Sequence, residues 1–235
     1  IITEDNFLII SERKFTKMNI SKLLGAACVL LFTVFLTGIY ANKADAGADD
    51  GKKVFVGKKC GDCHKTEGPA TEKTFEDKLK KKGPDLWFAG SKFKKEWLVE
   101  WMQNPQPIRP LEYNSIEKKN PGNHPKLAKK ESEDATEYLL TLKSKDVQDG
   151  VIQEGTSNIQ GKLAFEKKVS CFDCHKYKKL NKVIGGLTGP SLADAGKMLK
   201  ADWVYAYLKD PKPLIPVKRM PTYAGIINDG EMKGI

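Results

Sequence analysis

The sequence predicts an all-α chain built from two tandem, related units. Three observations predict it. Blocks of the chain repeat in order, their apolar residues recur at helical spacing with no alternating strand pattern of useful length, and each copy opens on a Cys-x-x-Cys-His motif. "GKKVFVGKKCGDCHK" at 51–65 matches "GKLAFEKKVSCFDCHK" at 161–176, with one extra residue in the second copy. "GPDL" at 83–86 matches "GPSL" at 189–192, and "EWLVEWMQNPQPIRP" at 96–110 matches "DWVYAYLKDPKPLIP" at 202–216, both at an offset of 106. One offset shared by blocks of different composition marks a duplication.

With 235 residues, 40% of them apolar, the chain has room for two domains of about 100 residues each. Its net charge of +10 is diffuse. No helix carries the basic and aromatic stripe or the finger spacing that nucleic acid requires, so the charge argues for acidic protein partners. Met18 opens a stretch with Lys22, an apolar run from Leu23 to Tyr40, and a small-x-small site at Ala44-Asp45-Ala46. We read Met18 to Ala46 as an export signal cut after Ala46, which makes the mature protein periplasmic or otherwise exported. Residues 1–17 precede any methionine and are taken as upstream residues, and Cys28 as signal filler. The competing reading is an uncleaved anchor, because the apolar run is just long enough to span a bilayer; membrane contact follows only from that reading. Removing residues 1–46 takes five basic and four acidic side chains from the 40 and 30 and leaves +9.

The mature chain divides into a first domain at 47–146, a polar, glycine-spaced linker at 147–160 and a second domain at 161–235. In the first domain Phe93, Trp97, Leu98, Trp101 and Met102 recur at helical spacing, as do Trp203, Val204, Tyr207 and Leu208 in the second. Each series stops at an Asn-Pro or Asp-Pro step that a helix does not easily pass. A further helix is predicted over Lys129 to Lys143, with Tyr138, Leu139 and Leu142 inward and Glu131, Glu133 and Asp134 near its positive end. The second domain offers only "NDGEMKGI" there, with Asn228 as cap and Glu231 three residues on. That leaves two readings open, a less covered second site or a truncated sequence.

"CGDCH" at 60–64 and "CFDCH" at 171–175 carry the chemistry. Two thiols three positions apart can add to the two vinyl groups of one haem, and the histidine next in sequence is then held under the iron. A zinc ribbon needs its cysteine pairs about 15–20 residues apart, and a redox Cys-x-x-Cys needs neither the histidine nor a second copy. The motifs therefore predict two haem c groups, one bound by Cys60 and Cys63 with His64 on the iron, the other by Cys171 and Cys174 with His175 on the iron.

With these motifs, the Gly-Pro-x-Leu segments, the aromatic helices and "RMPTY" at 219–223, residues 47–235 resemble the class I cytochrome c family, in particular two-domain dihaem members such as the cytochrome c4 group. The resemblance implies two tandem class I domains, each wrapped around one covalent haem. It also implies that Pro84 and Pro190 offer their carbonyls to the two histidines, and that Met220 is the sixth ligand of the second iron. Methionine is often only a flexible core filler, and Met102 is read as core, Met198 and Met232 as core or exposed. The first repeat has no methionine at the matching place: counted without gaps, Asn114 stands opposite Met220. Ten more residues separate Pro110 from His124 than separate Pro216 from Met220. If that insertion is allowed, "HPKL" replaces "MPTY", and His124 takes the methionine's place as a second imidazole ligand.

Two filled coordination spheres predict one-electron transfer between redox proteins rather than catalysis. A bis-histidine iron should have the lower potential and a His/Met iron the higher. Lys58, Lys59, Lys167, Lys168 and "KLKKK" at 78–82 are candidates to steer acidic partners, or simply a solvated face. The alternatives are a haem subunit of a larger oxidoreductase and a dihaem peroxidase-like enzyme.

Overall fold

The computed structural model describes residues 47–153, 155 and 158–235. The expected upstream residues and export signal, with Cys28, lie outside the described residues. The described chain falls within one compact unit, Ala46–Ile235. The first repeat contains α1 (Ala48–Gly57), α2 (Phe75–Leu79), α3 (Ala89–Lys92), α4 (Lys95–Gln103) and α5 (Lys129–Thr141). The second contains α6 (Ile159–Leu163), a π-helical continuation (Ala164–Lys168), strands β1 (Lys176–Lys179) and β2 (Lys182–Gly185), α7 (Ala195–Met198), α8 (Ala201–Lys209) and α9 (Asp229–Gly234).

Each repeat is closed by its first helix crossing its last, and a glycine decides how closely. At Gly51 of α1 an added Cβ would lie 1.9 Å from the carbonyl oxygen of Asp134 in α5. At Gly161 of α6 it would lie 2.0 Å from the carbonyl carbon of Gly234 in α9. Both glycines open the matching sequence blocks. One turn further on, Phe55 is buried and meets Tyr138 edge to face at 5.6 Å. The ends of the crossings are tied alike, by Lys58 to Glu131 at 2.8 Å and Lys168 to Glu231 at 2.8 Å. Each of those glutamates also accepts from its own helix's first N–H, that of Ala128 at 3.0 Å and of Asn228 at 2.8 Å. Pairs this exposed are screened by solvent and contribute little, so they align the helices more than they hold them. The extra residue of the second copy is absorbed in the π-helical stretch, where Val169 N–H bonds back to Ala164 at 3.1 Å.

The all-α expectation misses the hairpin of β1 and β2. Tyr177 pairs with Ile184 and Lys178 with Val183, and Leu180 turns the chain with φ 54°. Gly185 and Gly186 then bring the hairpin back onto the haem-motif turn, where a Cβ would lie 2.2 Å from the His175 carbonyl and 2.0 Å from the Asp173 carbonyl. Strands of four residues, one of them wholly exposed, leave no alternating pattern to read.

The predicted linker is no loose tether. Val147 is buried in the core, and the N–H groups of Gly150 and Ile152 donate to the Asp202 carboxylate at 2.7 and 2.8 Å. Helix α6 begins within it, capped by Asn158, whose side chain accepts from Gln160 N–H at 2.8 Å.

The repeats meet across a seam with local two-fold symmetry. Phe93 and Leu199 form an antiparallel bridge. Lys94 N–H donates to Met198 at 3.0 Å and Lys200 N–H to Lys92 at 2.9 Å. These positions exchange under the offset of 106, so each repeat gives the other the bond it receives. The core runs through the seam, joining Phe88, Phe93, Leu98, Met102 and Leu139 to Met198, Leu199, Trp203 and Leu214. At about 1.5–3 kcal/mol per buried large side chain, this shared layer outweighs every ion pair at the surface.

Candidate haem sites

Both motifs are built in the same way. The helix ends in a left-handed residue, Lys59 (φ 56°) or Ser170 (φ 44°), and the chain enters a 3-10 turn, Cys60–Asp62 or Cys171–Asp173. His64 N–H then bonds to Cys60 at 3.0 Å and His175 N–H to Cys171 at 3.1 Å. One turn of backbone thus presents two thiols and an imidazole together. The four cysteines are free thiols, available for thioether bonds.

The Gly-Pro segments pack over the imidazoles. Pro84 accepts from His64 Nδ1 at 2.7 Å, and Pro190 from His175 Nδ1 at 2.7 Å. With Nδ1 protonated, Nε2 keeps its lone pair for a metal, and the carbonyl fixes the ring and strengthens it as a donor. The preceding glycines make this contact possible: a Cβ on Gly83 would lie 2.8 Å from His64 Cε1, and one on Gly189 2.6 Å from His175 Cε1. Gly83 and Gly189 are site residues that the sequence reading passed over, though the repeated Gly-Pro step held the signal. Burial pushes both imidazoles below the ordinary value of 6.5 against the pull of the proline carbonyls, which favours the neutral form a metal needs.

His124 comes to His64 through the fold of the insertion. Leu111 bridges Lys119, Glu112 N–H bonds to Lys118 at 2.9 Å, and Asn120 N–H returns to Pro110 at 3.0 Å. The ten extra residues close on themselves, and the chain resumes where it left off. The rings of His64 and His124 stand 6.1 Å apart at 45°. Two imidazoles sharing one metal ion, with bonds of about 2.0–2.1 Å and ring centres about 1.1 Å behind the nitrogens, would stand about 6 Å apart. His124 Nδ1 is held by the Pro125 carbonyl at 2.9 Å, which again leaves Nε2 free. Trp101 of α4 packs against the His124 ring at 4.7 Å, its own Nε1–H fixed by Gln106 at 2.9 Å. Asn114, the ungapped counterpart of Met220, instead donates to the carbonyls of Lys78, Leu79 and Lys81 and closes the 78–82 loop.

In the second repeat His175 is buried, at 8% exposure, whereas His124 of the first lies exposed. Met220 is half-buried against the second core of Ala164, Tyr205, Leu208, Ile227 and Met232, in company with Tyr223 and Val169. Tyr223 lies close enough to the motif that, after burial, the charges of Cys171, Cys174 and Asp173 raise its phenol pKa. The "RMPTY" segment therefore borders the second haem motif. Met102, Met198 and Met232 are all buried core.

The lysine run at 78–82 is partly structural. Lys81 is half-buried between Glu72 and Asp85, and Lys78 donates to the Val217 carbonyl across the seam at 2.7 Å. Among the described residues four buried side-chain atoms have no hydrogen-bond partner, Trp87 Nε1, Arg109 Nε, Thr136 Oγ1 and Trp203 Nε1. Buried N–H donors left unpaired, in a chain with two thiol-and-imidazole turns, fit a large group with acceptor oxygens, as haem with its propionates is.

The sequence model of the family described as Cytochrome c matches residues 48–143, which run from α1 to the end of α5 and include "CGDCH" and His124. The match supports a class I cytochrome c domain over this stretch, with covalently bound haem c and a role in haem-based electron transfer. No curated protein and no solved structure matches the chain.

Proposed function

We propose that the chain is a dihaem c-type cytochrome that passes single electrons between redox proteins, with a bis-histidine site in the first repeat and a His/Met site in the second. The observation that carries the proposal is the duplicate geometry: in both repeats a Cys-x-x-Cys-His turn sets an imidazole 2.7 Å from the proline carbonyl of a Gly-Pro step. Cys60, Cys63, His64 and His124 would hold one haem, and Cys171, Cys174, His175 and Met220 the other. When bound, haem iron takes up and gives back one electron, at a potential that its axial ligands tune over a range of about 0.8 V.

The residues supply what electron transfer asks of a protein. Pro84 and Pro190 keep each imidazole in one tautomer and orientation, so little rearranges when charge changes. His124, steadied by Trp101, fills the position where a substrate would otherwise enter. Imidazole opposite imidazole favours the ferric state and thioether opposite imidazole the ferrous, so electrons should rest on the second site. The exposed surface at +9 for residues 47–235 suits acidic partners in an exported setting. The exposure of His124 favours one second reading, a peroxidase-like site whose iron opens to peroxide.

A redox titration with optical and EPR spectra tests the proposal. Two separately titrating low-spin haems with no high-spin ferric signal and little peroxidase activity are expected. His124→Ala should produce a high-spin signal from one haem only, and His124→Met should raise that haem's potential towards the other's. A spectrum unchanged in His124→Ala would remove His124 from the iron and bring the peroxidase-like reading forward.

A further inference from the structure

The two-fold seam is broken where the proline-rich loops cross it. In each repeat the chain leaves its aromatic helix through a proline-rich loop, 105–110 or 211–216, that reaches towards the other repeat. From the first loop, Ile108 accepts from Ser191 N–H at 2.9 Å, and Arg109 Nη2 donates to the Thr188 carbonyl at 3.0 Å. Thr188 directly precedes the Gly189-Pro190 step that holds His175. The residue that matches Arg109 in the second loop is Ile215, which lies with Val217 beside Pro84 in a cavity of about 30 Å³. The first repeat thus sends a guanidinium into the second site, and the second repeat sends back an alkyl chain.

Nothing described neutralises that guanidinium. Arg109 Nε is buried without a hydrogen-bond partner, and Arg109 forms no ion pair among the described residues. The charged or titratable groups that act on it are Tyr113, Tyr207 and Arg219, two phenols and another cation, with Lys78, Lys92 and His175 also within electrostatic range. Burying a guanidinium with a free N–H costs free energy unless an anion meets it, and a carboxylate matches its planar fork best.

We propose that Arg109 is a positioning residue supplied in trans: it binds a propionate carboxylate of the second repeat's haem and raises that haem's potential relative to the first. The proposal rests on the dihaem reading. A cation beside a redox centre disfavours the more positive, oxidised state, and a neutralised carboxylate no longer favours it, so both effects act in one direction. The second site is then incomplete without the first repeat, and the gap between the potentials has a source beyond the axial ligands.

The test uses the full-length holoprotein. Intact mass first counts the haems; fewer than two would overturn the dihaem reading, independently of Arg109. With two haems attached, Arg109→Leu should lower the potential of the His/Met haem and shift the electron-sharing equilibrium at least tenfold towards the bis-histidine haem, about 59 mV for one electron. The bis-histidine haem should keep its potential. Arg109→Lys retains the charge without the fork, keeps the fold if Arg109→Leu does not, and should give a smaller shift in the same direction. Two unmoved potentials in both variants would overturn the inference, as would a shift confined to the bis-histidine haem.

Discussion

The two repeats share a framework and differ in what is hung on it. The glycine crossings at Gly51 and Gly161, the left-handed residue before the first cysteine and the proline carbonyl on the imidazole are common to both. The first repeat closes with a 13-residue helix and carries a self-closing insertion that delivers His124; the second closes with six residues and carries a hairpin on its motif turn. The differences cluster opposite the histidine and around the outer loops, where a change alters ligand, charge or exposure without disturbing how the histidine is held. A duplicated framework can therefore change the groups around its motif turn while its fold stays put.

The largest expected effect breaks a device that only the first repeat has. Lys81, half-buried between Glu72 and Asp85, ties the 71–85 loop together. Lys81→Met leaves two half-buried carboxylates without their cation and should cost up to about 3 kcal/mol, measured by chemical denaturation. The pH dependence gives the sign. Burial alone would raise the Glu72 pKa, but the hydrogen bond and charge of Lys81 outweigh it and hold it below 4.5. Its contribution is therefore present above 4.5 and is lost as pH falls through the depressed folded value. Burial would likewise lower the Lys81 pKa, but Asp85 and Glu72 raise it above 10.5, so its contribution is full below 10.5 and is lost as pH rises through the folded value. In Lys81→Met the acid arm should reverse, because protonating a half-buried, unpaired carboxylate relieves the fold. Melting temperatures from pH 3 to 7 check this.

A smaller effect compares the two crossings directly. Gly51→Ala drives a methyl into the backbone of α5, a helix long enough to be held along its length, and should cost about 3 kcal/mol. Gly161→Ala meets α9 at Gly234, its last residue, where a helix end gives more easily, and should cost about 1–2 kcal/mol. Gly57→Ala, with nothing within 4 Å, is the control, neutral or stabilising by up to about 1 kcal/mol. Equal losses at Gly51 and Gly161 would mean that the short helix is held as firmly as the long one.

The smallest expected effect concerns the surface. With Lys81 half-buried in its triad and Lys78 bonded across the seam, steering of an acidic partner falls to exposed lysines such as Lys80, Lys82 and those of the hairpin. Electron-transfer rates with an acidic redox partner should fall several-fold as salt rises from 0.01 to 0.15 M, where the screening length shortens from about 30 to about 8 Å. Stopped-flow rates across that range measure it, and a flat profile would leave the lysines no part in docking.

The duplication, the two Cys-x-x-Cys-His motifs and the aromatic helices were legible in the sequence because each is a local pattern or a repeat of one, whereas the roles of Pro84 and Pro190 as carbonyl acceptors for the two imidazoles came only from the family resemblance. Spacing along a helix turn decides which residues share a face, and a Cys-x-x-Cys-His turn presents its thiols and imidazole together wherever it is placed. His124 was legible only by allowing an insertion; what brings it 6.1 Å from His64 is the return of Asn120 to Pro110, a contact with no signature in the chain. The hairpin, the half-buried Lys81, the pinned linker and the reach of Arg109 across the seam were decided by tertiary structure alone. Each depends on which groups meet after the backbone has closed, and on whether burial leaves a charge or an N–H with a partner.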